Sequence, residues 1–434
     1  MAATFATTRL CPYCGAKILL ADCQTVATNF PGVEFRDQIE LDEIELPSGS
    51  KPIALLEKTR WPVVALSPND RQHEAAEPPR QLSAIEKAFG GGSRKSVAPT
   101  LPPLVGDGVH YEDVPSRACY ECEYPLPPDI DERPAVVVAI VGVNGVGKTH
   151  LLAASLTEAY ARRGLAPLGC TEFVPSEVSS TRFMVDYNHP LFRRNEVLAA
   201  TQAEAATRFE PLVFNVTLAD GHPFSLVVHD IAGEVLGDYR RRAEAATFLR
   251  AARGIIFVVD PRDIDMLRDQ LPDWILENDQ TGFDQGALLA GCLKTDGIPD
   301  DRLIPVAITI AKADLLQLAC DEELPFMAPA QTASEGWDVF FDRVTDSSRQ
   351  VAGFLERYGA HNLLAPARKY ADHCKTTRQN AAAENRKKIG TVTYHAVSAL
   401  GSAPDAYDQL PGKVRPVNCV DPLAVVLAQI AQLW

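Results

Sequence analysis

AVVVAIVGVNGVGKTHLL, residues Ala135 to Leu152, is the stretch whose reading decides the fold. Eight apolar residues form a strand-length run, Ala135 to Gly142, and a glycine-rich turn follows it. Gly142, Gly147, Lys148 and Thr149 fill every fixed position of G-x-x-x-x-G-K-[ST] between a buried strand and a helix expected to begin near Thr149. Glycines allow the loop to turn its backbone N–H groups inward around an anion, and the helix N-terminus adds favourable partial charge. The segment Gly142, Asn144, Gly145, Val146, Gly147, Lys148, Thr149 and His150 is therefore the expected phosphate cradle. Lys148 would reach the terminal phosphates, and the Thr149 hydroxyl would bind Mg2+.

Downstream the chain alternates. Strand-like runs LVFNVTL, FSLVVHD, GIIFVVD, IPVAITI and TVTYHAV are separated by helical patterns such as HLLAASLTEAYARR. Such alternation predicts an α/β fold, a mostly parallel six-stranded sheet with helices on both faces. ADGHP between LVFNVTL and FSLVVHD is hairpin length, so one antiparallel edge strand is expected.

Three further stretches bear on a nucleotide. In VVHDIAGE, Asp230 is read as the end of a strand, where it would hold Mg2+ through water, and the Gly233 N–H would approach a γ-phosphate. Ala311-Lys312-Ala313-Asp314 closes IPVAITI, and Ser398-Ala399-Leu400 closes the last strand. These two resemble the guanine motifs N-K-x-D and S-A-K of GTPases, in the right order and at strand ends. By that resemblance Asp314 accepts from the guanine N1 and N2 donors, Lys312 covers the base, and backbone near Ala399 meets the guanine carbonyl. An unmatched buried acceptor is costly, so a single Asp can discriminate strongly against adenine. Ala311 stands where the family places Asn, and Leu400 where Lys is frequent.

Together these motifs make the last 300 residues resemble a Ras-like GTPase domain of the TRAFAC class. GKTHLL, DIAGE, IIFVVDP, KADLL, AVSALG and VDPLAVVLAQI behind an N-terminal CPYCG are more narrowly similar to the bacterial "double-GTPase" family. That resemblance implies GTP and GDP as ligands and a Mg2+-dependent switch with slow hydrolysis. Its partners would be proteins of a multi-gene conflict (anti-phage) system, met through switch loops or the N-terminal region, with a nucleotide-dependent dimer as a further expectation. The alternatives are a P-loop ATPase whose base pocket has drifted at Ala311, or a non-hydrolysing scaffold that holds its nucleotide.

A switch threonine is expected in the long loop from Thr171 to Glu210. Thr201 fits the family pattern and Thr207 the usual distance to the next strand. Glu234 follows Gly233 where many GTPases place a water-orienting Gln. A carboxylate there would polarise water yet repel the γ-phosphate, predicting slow turnover; a solvated Glu at a helix start is the other reading. Lys148, Thr201 and Glu234 are thus the candidate catalytic residues. Arg240 to Arg242 read either as an internal arginine finger or as a charged helical face.

CPYCG and CYEC are zinc-knuckle sequences, so Cys11, Cys14, Cys119 and Cys122 form a candidate structural zinc site, a closed four-thiolate shell with no open position for chemistry. The spacing between the knuckles makes residues 25–107 an insertion looped out of a zinc ribbon split between residues 1–24 and 108–130. That insertion is expected to be partly disordered around one short helix, LSAIEKAF. The nucleotide domain is then 133–434, with insertions at about 262–302 and 315–388. Cys23, Cys170, Cys292, Cys320, Cys374 and Cys419 are expected in cores.

The totals agree with this layout. At 434 residues, with 46% apolar and 23% charged residues, the composition is that of a globular protein larger than one small domain. A formal net charge of −15 argues against nucleic acid as a partner. No apolar run reaches the roughly 18 residues of a membrane span. The N-terminus lacks a secretory apolar region, and ten cysteines that sit mostly alone apart from two Cys-x-x-Cys pairs suit a reducing compartment, so a cytoplasmic location is expected.

Overall fold

The structure is a computed structural model. It describes residues 8–12, 16–20, 23–27, 51–52, 64–65, 116–121, 126–127, 130–161, 164–198, 211–219, 221, 223–232, 249, 251–276, 284–293, 304–320, 322–328, 336–379, 391–402, 410 and 412–432. The chain divides into two compact units, Met1–Ala135 and Val136–Trp434.

In the first unit, β1 (Thr8–Leu10) and β2 (Lys17–Leu19) form an antiparallel pair. A small antiparallel sheet follows, made of β3 (Gln24–Ala27), β4 (Lys51–Pro52), β5 (Val64–Ala65) and β6 (Ser116–Ala118) in the order β4-β5-β3-β6. Cys11, Ile18, Leu20, Cys23, Cys119, Leu126 and Ile130 make one buried cluster. Two stretches a hundred residues apart thus share a core. Tyr120 fastens them, its hydroxyl accepting from the Leu19 N–H at 3.3 Å. Arg9 does the same, donating to the carbonyls of Ile130 and Asp131 at 3.0 and 2.9 Å. Apart from the end of β3 and from β4 and β5, the expected insertion of residues 25–107, its helix LSAIEKAF included, lies outside the described residues.

The second unit is built on a seven-stranded, mostly parallel sheet. Its strands are β7 (Ala135–Gly142), β8 (Glu172–Pro175), β9 (Leu212–Thr217), β10 (Pro223–Ala232), β11 (Ala252–Val259), β12 (Val306–Ile310) and β13 (Val392–Ala396). Their order is β13-β12-β11-β7-β10-β9-β8, with β13, β12, β11 and β7 mutually parallel. The longer helices are α1 (Lys148–Tyr160), α2 (Glu177–Arg182), α3 (Gln285–Leu293), α4 (Trp337–Arg357), α5 (His361–Gln379) and α6 (Asp421–Gln432). β7 shows why the sheet forms. Val136, Val138 and Ile140 pack with residues of α1 and α6 in one core, while Val137, Ala139 and Val141 alternate to the other face and are equally buried. Each such valine or isoleucine side chain contributes roughly 1.5–3 kcal/mol of burial.

The strand count corrects the six-strand expectation. The first part of Thr171 to Glu210 is not loop but folds as β8, then α2, then a wide π-helical segment, Phe183–Arg193. β8 is four residues long and ends on Pro175, too short to show an alternating pattern. It pairs antiparallel with β9, which pairs antiparallel with β10, so the antiparallel strand lies one place inside the edge. β10 also runs two residues past Asp230, and α1 starts at Lys148 rather than Thr149. Among the described residues, no helix is long and apolar enough to cross a membrane.

Candidate functional site

Because β7, β11, β12 and β13 are parallel, their carboxyl ends open on one edge of the sheet. From β7 the chain passes to β8–β10 on one side and then to β11–β13 on the other, the topological switch point at which open α/β sheets bind ligands.

The phosphate-type loop leaves β7 at Gly142. A Cβ there would lie 2.5 Å from the Val258 carbonyl oxygen of the neighbouring strand, so only glycine permits that approach. Gly147 caps α1 with φ of 94°, a left-handed conformation that costs glycine little. Lys148 is buried, and its Nζ donates to the Gly142 and Val143 carbonyls at 2.9 and 2.7 Å. Its ammonium is thereby held inside the loop turn. Thr149 Oγ1 donates to Asp230 Oδ2 at 2.9 Å, joining α1 to β10. Two hard oxygen donors side by side suit a divalent cation such as Mg2+.

The two stretches expected to read the base also meet. Backbone hydrogen bonds continue past the strand ends, from Ala311 N–H to Val259, from Val397 N–H to Ile310 and from Ala313 N–H to Val397. They bring Asp314 to Ser398, whose Oγ donates to Asp314 Oδ1 at 2.6 Å while accepting from the Gly401 N–H at 2.8 Å. Burial raises the Asp314 pKa, with the Ser398 hydrogen bond pulling the other way. Ala399 and Leu400 are half-buried against the main core. Asn144 and Gly145 are exposed and Val146 is buried, so the cradle is open at its tip and anchored at its base.

His150 Nε2 accepts the Leu198 N–H at 3.0 Å. Burial, then the positive Lys312, lowers its pKa to about 4, so the ring is neutral and remains an acceptor at ordinary pH. Asn195 ties the same stretch to the loop after Ser398. It donates to the Gly412 carbonyl at 2.7 Å and accepts from the Val414 N–H at 3.0 Å.

Sequence reasoning missed Asp260, which follows β11. It is 1% exposed and accepts from Arg262 through two guanidinium nitrogens, at 3.0 and 2.7 Å, and through the backbone N–H at 2.9 Å. Lys312 Nζ adds a fourth bond at 2.7 Å. Burial alone would raise the Asp260 pKa, but Lys312 and Arg262 outweigh it and hold the carboxylate below its ordinary range. The signal was available, because an Asp ending a buried strand at this sheet edge must have a partner.

Gly233, Glu234, Thr201, Thr207 and Arg240 to Arg242 lie outside the described residues, as do Cys14 and Cys122. Cys11 and Cys119 share the first unit's core, and the Glu121 N–H donates to Cys119 Sγ at 3.4 Å. Among the described residues no group of three or more His, Cys, Asp or Glu is placed to hold a metal ion.

No protein-family profile matches the chain. It is similar to SaeC of Mycolicibacterium smegmatis (strain ATCC 700084 / mc(2)155), provisionally named as an ESX-1 scaffolding and assembly protein. The two are 23% identical over 342 residues, 74% of this chain and 82% of SaeC. Among solved structures, the Arl6 BBS3 small GTPase from Trypanosoma brucei with bound nucleotide analogue GppNp aligns with a TM-score of 0.29 and 11% identity, over 69% of this chain and 98% of that one. At that score nothing about this chain's ligand follows from the likeness.

Proposed function

We propose that this chain is a guanine-nucleotide-binding switch with slow, Mg2+-dependent GTP hydrolysis, acting on partner proteins. One observation supports the reading above others. A phosphate-type loop, a Thr149–Asp230 pair and an Asp314–Ser398 pair, drawn from segments far apart in sequence, stand at one edge of one sheet. Loop N–H groups would hold the phosphates while Lys148 neutralises their charge. Thr149 and Asp230 would hold Mg2+, which when bound would neutralise phosphate charge. Asp314, oriented by Ser398, would accept from guanine. Glu234 is proposed to orient the water, its charge keeping turnover slow, with Thr201 or Thr207 closing the switch.

The similarity to SaeC makes assembly of a multi-protein complex the partner role we favour; a conflict-system role rests on the sequence resemblance alone. The zinc ribbon, with Cys11, Cys14, Cys119 and Cys122 as ligands, is proposed as a structural module available for partner contact. The ATPase alternative rests on Ala311, which is buried and offers the base no hydrogen bond from its side chain. Identification of the nucleotide carried by freshly purified protein, with calorimetric titration of GTP and ATP in the presence and absence of Mg2+, tests the reading. GTP carried over and bound more tightly than ATP is expected; equal affinities would favour the ATPase.

A further inference from the structure

We infer that Asp260 is a positioning residue that, through Lys312, sets the spacing between the base-reading loop and the phosphate loop. The inference rests on the nucleotide reading above. Residue 311 cannot tie the two loops by a side-chain hydrogen bond, because its side chain is a methyl group. A Cβ built on Gly147 would lie 3.8 Å from the Ala311 Cβ and 3.7 Å from Lys312 Cε. The Lys312 stem thus lies over the phosphate loop, two residues before Asp314. Its ammonium then binds on both sides of the gap, to the Gly145 carbonyl at 2.6 Å and to Asp260 Oδ2 at 2.7 Å.

A lysine stem has four rotatable bonds, and one carbonyl would not hold it. The second acceptor does, and that acceptor is itself held by three further hydrogen bonds. Asp260 is gripped bidentately by Arg262 and by the Arg262 backbone N–H, at the rigid end of β11. Charge balance makes the arrangement compatible with an anionic ligand. A lone buried carboxylate beside a phosphate cradle would repel phosphate, but here two cations share it, leaving the trio net positive. Lys312 itself sits at φ of 50°, a left-handed conformation seldom adopted outside glycine, so the backbone is bent to deliver this side chain. Asp260 touches neither base nor phosphate in this account; it acts by holding the residue that spans them.

The test is a double-mutant cycle read as GTP affinity by calorimetry, using the full chain with Asp260→Asn, Lys312→Met and both together. Asp260→Asn keeps the shape and removes the charge-assisted bond, so GTP binding should weaken roughly tenfold. In the Lys312→Met background the same change should matter by less than about twofold, because its only route to the nucleotide is gone. Equal losses in both backgrounds would mean that Asp260 supports the fold generally, and would overturn the inference. So would unchanged affinity in Asp260→Asn. If Asp260→Asn does not fold, Arg262→Gln replaces it in the cycle, loosening the carboxylate without discharging it; a loss of about threefold, again absent with Met at 312, is expected. A wild-type chain with no affinity for GTP would bring down the nucleotide reading itself. Wild-type binding with an additive cycle would remove only the role of Asp260.

Discussion

Asp314→Asn is the perturbation that bears most directly on base choice. One carboxylate oxygen already accepts from Ser398 at 2.6 Å, and the Asn carbonyl can keep that bond, so the loop should remain in place. The change then falls on the other oxygen, where an amide donor replaces an acceptor. Asp314 is half-buried, which raises its pKa, so part of the desolvation that would offset a guanine contact is already met in the free site. Two charge-assisted bonds to guanine N1 and N2 should be worth about 2–4 kcal/mol net, and their loss should weaken GTP roughly thirtyfold to thousandfold. The new donor suits the carbonyl of xanthine, so XTP should gain as GTP loses. Calorimetric titration of wild type and variant with GTP, XTP and ATP measures this. Unchanged GTP affinity, or wild-type binding of ATP as tight as that of GTP, would refute the guanine reading. Because the carboxyl is shifted upward, wild-type GTP affinity should also begin to fall on acidification above the ordinary Asp value of about 3.9.

Lys148→Ala should abolish GTP binding while costing about 1–3 kcal/mol of stability, since the Gly142 and Val143 carbonyls lose a buried donor; retained affinity would refute the phosphate-loop assignment. One tightly held zinc per chain is expected, lost in Cys11→Ser or Cys119→Ser, and elemental analysis without chelator checks it. His395 is buried, and burial followed by the positive Arg343 lowers its pKa to about 3. The unfolded chain therefore takes up the proton first. The stabilisation is complete above about pH 6.5 and should fall by on the order of 2 kcal/mol by pH 5, with His150 adding in the same direction. Urea unfolding that is flat between pH 7 and 5 would contradict this.

Much of the candidate site was legible because its geometry is local in sequence. A phosphate loop needs glycines at fixed offsets and a Lys-Thr at the helix start, and those constraints act within eight residues. Asp230, Asp314 and Ser398 were legible for a related reason: each lies at or just beyond the end of an apolar run that reads as a strand. β8 and the π-helical segment were not legible. Four residues ending in proline carry too little periodicity, and a wide helix containing Pro190 follows no 3.6-residue pattern.

What the sequence by itself determined was therefore the alternating α/β frame, the glycine-rich loop between β7 and α1 and the set of polar residues at the strand ends. These follow from backbone sterics and hydrophobic period, which neighbouring residues decide. Which polar residues bond to which was left to the tertiary structure. Asp260 meets Lys312 across 52 residues, and Thr149 meets Asp230 across 81. Those pairings exist because parallel strands bring their carboxyl ends to one edge. Once there, a buried charge must find a partner, wherever in the chain that partner lies.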